Sequence, residues 1–391
     1  MRRIGLPERQ ARLGIRHRLA TAARAERPGE VAASLVALHG TTPASVYLSA
    51  LARMRDGTSA DIEHALYTER SLVRLLGMRR TMFVMERELA PVVQAGCTRA
   101  IAAQQRRRFV QQLQRAGIAP DPASWLSEVE ESTVRALRAR GNATASELAE
   151  DEPRLRTSIV VAAGKPYEAK QNVSSRILLL LGADGRIVRG RPQGSWTSSR
   201  YSWWPMESWL PDGMPELPLA AAQVELARRW LAAYGPATVQ DMSWWTGWTV
   251  AQTKKALASL APVEVDLGGS TGVVLPDDVE PVPAPDPWAA LLPGLDPSPM
   301  GWAHRDWFLG DHAPALFDRS GNVGPTVWWN GRIVGGWAQR GEGDIVVRVL
   351  DDVGSEAVHA IDVAAERLRD RLGDVRVTPS FRTPLERELS A

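Results

Sequence analysis

Apolar positions recur at three- and four-residue spacing through most of the first 280 residues, the pattern of helices that bury one face. Two such stretches, ESTVRALRAR (131–140) and AAAQVELARRWLAAY (220–234), end at a glycine and run into similar segments, GNATASELAE and GPATVQDMSWW. In each segment an Ala-Thr pair stands three residues ahead of an acidic side chain. Thr144 with Glu147, and Thr238 with Asp241, therefore predict capping boxes, in which hydroxyl and carboxylate satisfy the free amides of a new helix. Further helical stretches follow, QNVSSRILLLLGADG and TVAQTKKALASLAP, and then strand-like residues: RIVRGRPQGSWTSSRYSWWP in one copy, VEVDLGG and GVVLPDD in the other. Helix, turn, helix, helix and β-hairpin is the order of a winged helix-turn-helix.

The opening of the chain fits as a third, degenerate copy. PGEVAASLVALHG is its second helix and TPASVYLSALARM the next, with Thr42 as N-cap and Pro43 in the first turn. SLVRLLGMRRTMFVMERE is its hairpin. Beyond position 280 the pattern changes: EPVPAPDP marks a boundary, and residues 318–350 alternate apolar and polar positions around glycine-rich turns. There WNGR signals a hairpin, and residues 354–374 return to helix. The expected class is α+β, mainly α: winged helices over 1–120, 121–215 and 216–280, the second with a long basic wing, then a β-rich C-terminal module with a helix over 281–391.

Composition narrows the function. A net charge of +2 over 391 residues excludes a histone-like partner, yet nearly all basic side chains are arginine, with lysine only at 165, 170, 254 and 255. Arginine's planar fork suits phosphate, although GC-rich codons favour arginine and give the same composition. The one cysteine, Cys97, excludes an intramolecular disulfide framework and is expected as a small buried hydrophobe in a helix. No apolar run reaches membrane-spanning length, and residues 1–12 lack a signal-peptide core, so a cytoplasmic protein is expected. Most tryptophans fall between positions 196 and 337, where packing explains them. Nucleotide-binding glycine loops, HExxH and cysteine metal motifs are missing.

Residues 31–54 and 70–83, together with LLPGLDPSPMGWAHRDWFL and GPTVWWNGRIVGGW, resemble the winged-helix DNA glycosylases of the AlkZ/YcaQ type. The resemblance implies three tandem winged helices and a β-rich part around a DNA-sized channel, without metal or organic cofactor, acting on double-stranded DNA with alkylated bases. It places the family's Gln-x-Gln or Gln-x-Asp catalytic motif at His39 and Thr41. Both side chains therefore depart from the family pattern. A neutral imidazole can accept a proton near neutral pH, and a threonine hydroxyl can orient the same water. The bland alternative is a histidine at a helix end, a glycine C-cap and a threonine N-cap.

Arg79, Arg80 and Thr81 match an arginine-threonine motif at the family's first hairpin, and so contact phosphate or brace the catalytic loop; a solvated turn is the plain alternative. In the long wing, Arg186, Arg189, Arg191, Ser195 and Arg200 are candidates for phosphate or groove contact, with Trp196 as a wedge. The glutamine- and arginine-rich 104–108, the turn residues Asn322, Thr326, Asn330 and Arg332, and His304 with Arg305 rank lower. No metal site is expected. The sequence points to a monomeric, metal-independent DNA glycosylase for N7- or N3-alkylated or bulky purine adducts, in genotoxin self-resistance or crosslink repair. Its rivals are a non-catalytic DNA-binding protein and a protein-interaction module.

Overall fold

A computed structural model describes residues 1–161 and 169–391. The fold is α+β, about 48% helical and 17% strand. The chain divides into two units, one of Met1–Val73, Thr81–Arg87 and Gln223–Ala391, the other of Arg74–Arg80 and Glu88–Ala222.

The first unit opens with β1 (Arg2–Arg3), α1 (Leu6–Arg16), α2 (Pro28–Ser34), β2 (Leu38–His39), α3 (Pro43–Leu51) and α4 (Ser59–Glu63), followed by β3 (Leu72–Leu76) and β4 (Met82–Glu86). Two features correct the expectation. The break around residue 39 is a strand, not a loop between helices: β2 pairs antiparallel with β4, Leu38 opposite Val84 and His39 opposite Phe83. Leu38 and Val84 are both fully buried, so extending the chain here removes two aliphatic side chains from water, about 1.5–3 kcal/mol each. Secondly, α4 stands between α3 and the hairpin. Thr58 and Asp61 close a capping box at its start, and a wide turn carries it on through His64–Thr68. Its apolar stripe is short, Ile62, Ala65 and Leu66, and helical spacing alone does not reveal it.

In the second unit, α5 (Ala90–Val93) and α6 (Arg99–Arg115) flank a wide turn, Gln94–Thr98, that buries Cys97. Then come α7 (Pro122–Arg140), α8 (Ala145–Asp151), the pair β5 (Ser158–Val161) and β6 (Ala169–Asn172), α9 (Ser174–Ala183), the wing β7 (Ile187–Pro192) and β8 (Tyr201–Pro205), and α10 (Met206–Trp209). The predicted Thr144–Glu147 capping box is present. Before it, Ala143 bridges to Trp203 on the wing. The core is mainly aliphatic, with Phe109 packed among Leu126, Leu137, Leu148, Ile177, Leu181 and Ile187.

Along α11 (Leu219–Tyr234) the chain returns to the first unit. Ala237 bridges to Val273, Thr238 and Asp241 cap α12 (Val239–Thr246), and Thr249 and Gln252 cap α13 (Val250–Ala258). Strands β9 (Val263–Asp266) and β10 (Thr271–Val274) follow, and β1 joins β9 in parallel. The remaining elements are β11 (Ala289–Leu292), α14 (Asp306–Leu309), α15 (Ala313–Leu316), β12 (Thr326–Trp329), β13 (Arg332–Gln339), β14 (Ile345–Val349), α16 (Gly354–Leu372) and α17 (Pro384–Leu389). Strands β11 to β14 form one antiparallel sheet in sequence order. The WNGR signal is its β12–β13 turn, where Asn330 and Gly331 take φ of 47° and 85°, the pair of left-handed residues a two-residue hairpin demands. Helix, bridge, helix, helix and hairpin thus occur in that order three times, with the β5–β6 pair set between the two later helices of the second run. Among the described residues no helix is long and apolar enough to cross a membrane.

Candidate functional site

The corner holding His39 is built by an unusual turn. After α2, Val36 adopts a φ of 63° while 1% exposed. A β-branched side chain resists that conformation, which costs on the order of 1–3 kcal/mol. The turn directs the chain into β2, whose ladder extends one residue further through the Gly40 amide to the Met82 carbonyl (2.7 Å). His39 is half-buried at this sheet edge, its ring 5.7 Å from that of Phe83 and steeply inclined to it. Thr41 is exposed. Thr42 occupies the N-cap of α3, but its side chain makes no capping bond. The Ser45 hydroxyl, where a box would place its carboxylate, instead donates to the Gly294 carbonyl (2.7 Å).

Comparison within the chain sharpens this. In the other two runs the bridged residue, Ala143 or Ala237, is followed at once by the capping threonine. In the first run Gly40 and Thr41 intervene between strand and N-cap. The corner is therefore two residues longer, and the extra threonine, Thr41, stands outside the N-cap position that Thr42 fills.

Arg79 and Arg80 share the turn Met78–Arg80 with φ of 52° and 62°, so both backbones are held left-handed. Arg80 is exposed and donates to the Gln105 Oε1 (3.3 Å). Thr81, half-buried, begins the strand segment that returns to the first unit. Of the 104–108 stretch, Gln105 is buried and Arg106 is paired with Glu130 and Asp184, leaving Arg107 and Arg108 exposed.

The β7–β8 wing gathers its residues unevenly. Arg191 and Arg200 are exposed. Arg189 instead lies over Tyr201 and Trp203, 5.2 Å from each ring centre; burial, and then the neighbouring Arg74, hold its pKa below the usual arginine value. Trp196 is only 8% exposed and offers little face for wedging into a duplex. Arg186 pairs with Glu131 (2.8 Å), and Ser195 shares a hydrogen bond with Thr197 (2.6 Å).

Sequence reasoning missed the buried polar centre of the first unit. Arg53 and Asp296, both 0% exposed, form a two-pronged pair (2.7 and 2.8 Å). Ser49 donates to Asp296 Oδ2 (2.7 Å), and Arg53 donates to Ser298 Oγ (2.8 Å). Ser298 lies 2.7 Å from His17 Nδ1, and His17 Nε2 lies 3.2 Å from the Ala233 carbonyl. A carbonyl only accepts, so the proton sits on Nε2 and Ser298 donates to Nδ1. Burial, and then the charge of Arg53, push His17 down to about 3. The GLDPS segment carries this pair, yet its spacing from position 53 gives no signal. Around it a run of rings passes from His39 and Phe83 through Trp245 to Tyr234 and Trp302, so these aromatics pack the unit's interior.

In the C-terminal part, turn chemistry accounts for Asn322, which bonds Asp318 (2.9 Å), and for Asn330, which accepts the Trp288 amide (2.8 Å). Thr326 accepts from the Trp328 indole (2.9 Å), and Arg332 pairs with Asp351 (3.3 Å). Among the described residues no three His, Cys, Asp or Glu side chains gather as a metal cage.

Comparison with known proteins places this geometry. A model of the family described as DNA glycosylase AlkZ-like matches residues 32–371. An interstrand DNA cross-link repair glycosylase of Streptomyces sahachiroi is 28% identical over 173 residues, 42% of this chain and 46% of that protein; the chain thus spans about half the length of the curated relative it matches. The solved structure of the Streptomyces sahachiroi DNA glycosylase AlkZ superposes with a TM-score of 0.73, covering 96% of this chain and 98% of that one at 19% identity, a likeness of fold. With its family match extending over most of the sequence, the chain belongs to the AlkZ-like DNA glycosylases.

Proposed function

We propose that the protein is a monofunctional DNA glycosylase that hydrolyses the N-glycosidic bond of alkylated purines in duplex DNA, with the Leu38 to Thr42 corner as its catalytic loop. The three recurring runs of elements are read as winged helices over 1–120, 121–215 and 216–280, followed by the 281–391 module. The observation that carries the proposal is the two-residue extension at the first corner, which leaves Thr41 exposed ahead of the N-cap Thr42 and two residues after His39, at the positions of the family's catalytic motif.

An N7- or N3-alkylated purine leaves already cationic, so the bond needs little acid help and the sugar passes through an oxocarbenium-like state. What remains is to aim a water at C1′ and accept its proton. His39 is the proton acceptor and Thr41 the water's second anchor. Neither role calls for a metal or an organic cofactor. Arg79, Arg80 and Thr81 at the hairpin turn, and Arg189, Arg191 and Arg200 on the wing, hold backbone phosphates, while Trp196 fixes the wing loop from within. Repair of bulky or crosslinking adducts in the cytoplasm, by a monomer, in a producer's self-protection, completes the reading.

The test is release of base from duplex DNA carrying N7-methylguanine, wild type beside His39→Ala. Release by the wild type with the variant about 10²-fold slower supports it, the lower end of what a positioned proton acceptor contributes. The departure from glutamine at both motif positions favours one rival, a non-catalytic DNA-binding protein; duplex binding with no release from a panel of alkylated and crosslinked substrates would establish that rival instead.

A further inference from the structure

Away from the corner and the wing, the first unit holds a cluster whose donors outnumber its acceptors. Asp241 stands at its centre, 1% exposed. Its Oδ2 accepts the amide and hydroxyl of Thr238 (3.0 and 2.8 Å), and its Oδ1 accepts the amides of Ala303 and His304 (3.0 and 2.9 Å). The His304 Nδ1 lies 3.1 Å from the same oxygen. That carboxylate is fully employed in joining α12 to the segment ahead of α14.

Arg9 and Arg305 lie near enough to feel its charge, yet among the described residues neither forms an ion pair. Each is held by aromatic rings instead. Arg9, on α1, sits 4.1 Å from the ring centre of Trp307; Arg305 lies between Trp244 (5.1 Å) and Phe317 (5.2 Å). The contrast within the unit is plain, since Arg12 and Arg16 share Asp278 and Arg53 holds Asp296. Moreover, Arg9 Nε and Trp307 Nε1 are buried and have no acceptor among the described residues. Burial lowers Arg9 to about 10 and also depresses Arg305. Buried donors left without acceptors are rare in folded proteins, and half-buried cations without a carboxylate concentrate where a ligand supplies the acceptor.

We propose that Arg9, Arg305 and His304 form a binding site for a phosphate of the nucleic-acid backbone. A phosphate brings several oxygen acceptors to donors that lack them, and the guanidinium fork matches its geometry. The neighbouring aromatic rings hold both guanidinium groups in place before the ligand arrives, so little side-chain freedom is lost on binding. His304, whose side chain is 63% exposed, is anchored through Nδ1–H on the Asp241 carboxylate, so the outward Nε2 donates to a phosphate only when the ring is protonated. Asp241 and Asp306 are the acidic groups that face these cations; the first is buried and saturated, and the second is exposed to water. The proposal rests on the glycosylase reading, since duplex DNA is what carries the phosphate to the site.

The experiment is fluorescence anisotropy of a short undamaged duplex with the full chain, over about 50 to 200 mM salt. Arg9→Gln and Arg305→Gln, with folding confirmed by thermal melting, should each weaken binding about tenfold and reduce the salt slope by about one. Arg305→Lys, which keeps the charge, should recover part of the affinity, and His304→Gln should cost less than either arginine. If folded variants retain wild-type affinity and slope, this site is wrong while the DNA-binding reading stands. If the wild type itself does not bind the duplex, the glycosylase reading fails and takes this site with it. If inorganic phosphate raises the wild-type melting temperature through Arg9 and Arg305 while the duplex slope is unchanged in the variants, the site takes free phosphate and the backbone assignment is overturned.

Discussion

His39 and His17 show how differently one side chain serves two places in a fold. His39 stands half-buried at a sheet edge two residues from an exposed threonine, the pair to which the proposed mechanism gives the water and its proton. Thr41→Val should therefore slow base release less than His39→Ala does, by about tenfold, with unchanged duplex affinity; equal rates for Thr41→Val and wild type would remove the hydroxyl from the mechanism. His17 is sealed and neutral, with its pKa depressed from 6.5 to about 3. Between those values the unfolded chain binds a proton that the folded one refuses, so stability falls as the pH drops below about 6.5 and continues to fall towards about 3. Urea midpoints measured from pH 7 to pH 4.5 should decline, and His17→Gln, lacking the titrating group, should flatten that slope although it is less stable at pH 7.

At the scale of elements, local chemistry was legible and long-range pairing was not. The capping boxes at Thr144 and Thr238 and the Asn330–Gly331 turn follow from residues within four positions of one another, where a hydroxyl, a carboxylate or a left-handed backbone decides the outcome. Gly331→Ala tests that logic. It puts a side chain at φ 85° and brings its Cβ within 2.6 Å of Gln10, so a loss of about 1–2 kcal/mol is expected in chemical denaturation. By contrast, β2 exists because Leu38 meets Val84, 46 residues on by number, and no periodicity in residues 36–42 announces it. The Arg53–Asp296 pair is hidden for the same reason, because charge at two distant positions carries no mark of burial. Arg53→Met alone should cost about 3–5 kcal/mol, since it strands a buried carboxylate, whereas Arg53→Met with Asp296→Leu should recover much of the loss. Denaturation of the two variants separates a strained network from a stabilising one. The corner itself was half-legible: its residues were found from the family resemblance, its geometry only from the strand.

At the scale of the whole molecule, a net charge of +2 gives little general attraction to DNA, so binding must come from particular arginines. The log of duplex affinity should fall steeply with the log of salt, and Arg191→Gln and Arg200→Gln should each lower that slope by about one without altering preference among sequences. The order of the chain adds another constraint. Residues 2 and 3 find their strand partners at 265 and 266, and Arg12 and Arg16 find theirs at Asp278, while most of the intervening unit is one continuous stretch, Glu88–Ala222. On the ribosome the amino-terminal helix must wait on the order of tens of seconds for those partners to be translated. The inserted stretch is complete on the ribosome before then, while the first strand, and Arg12 and Arg16 on α1, stay without those partners until the message is nearly three-quarters read.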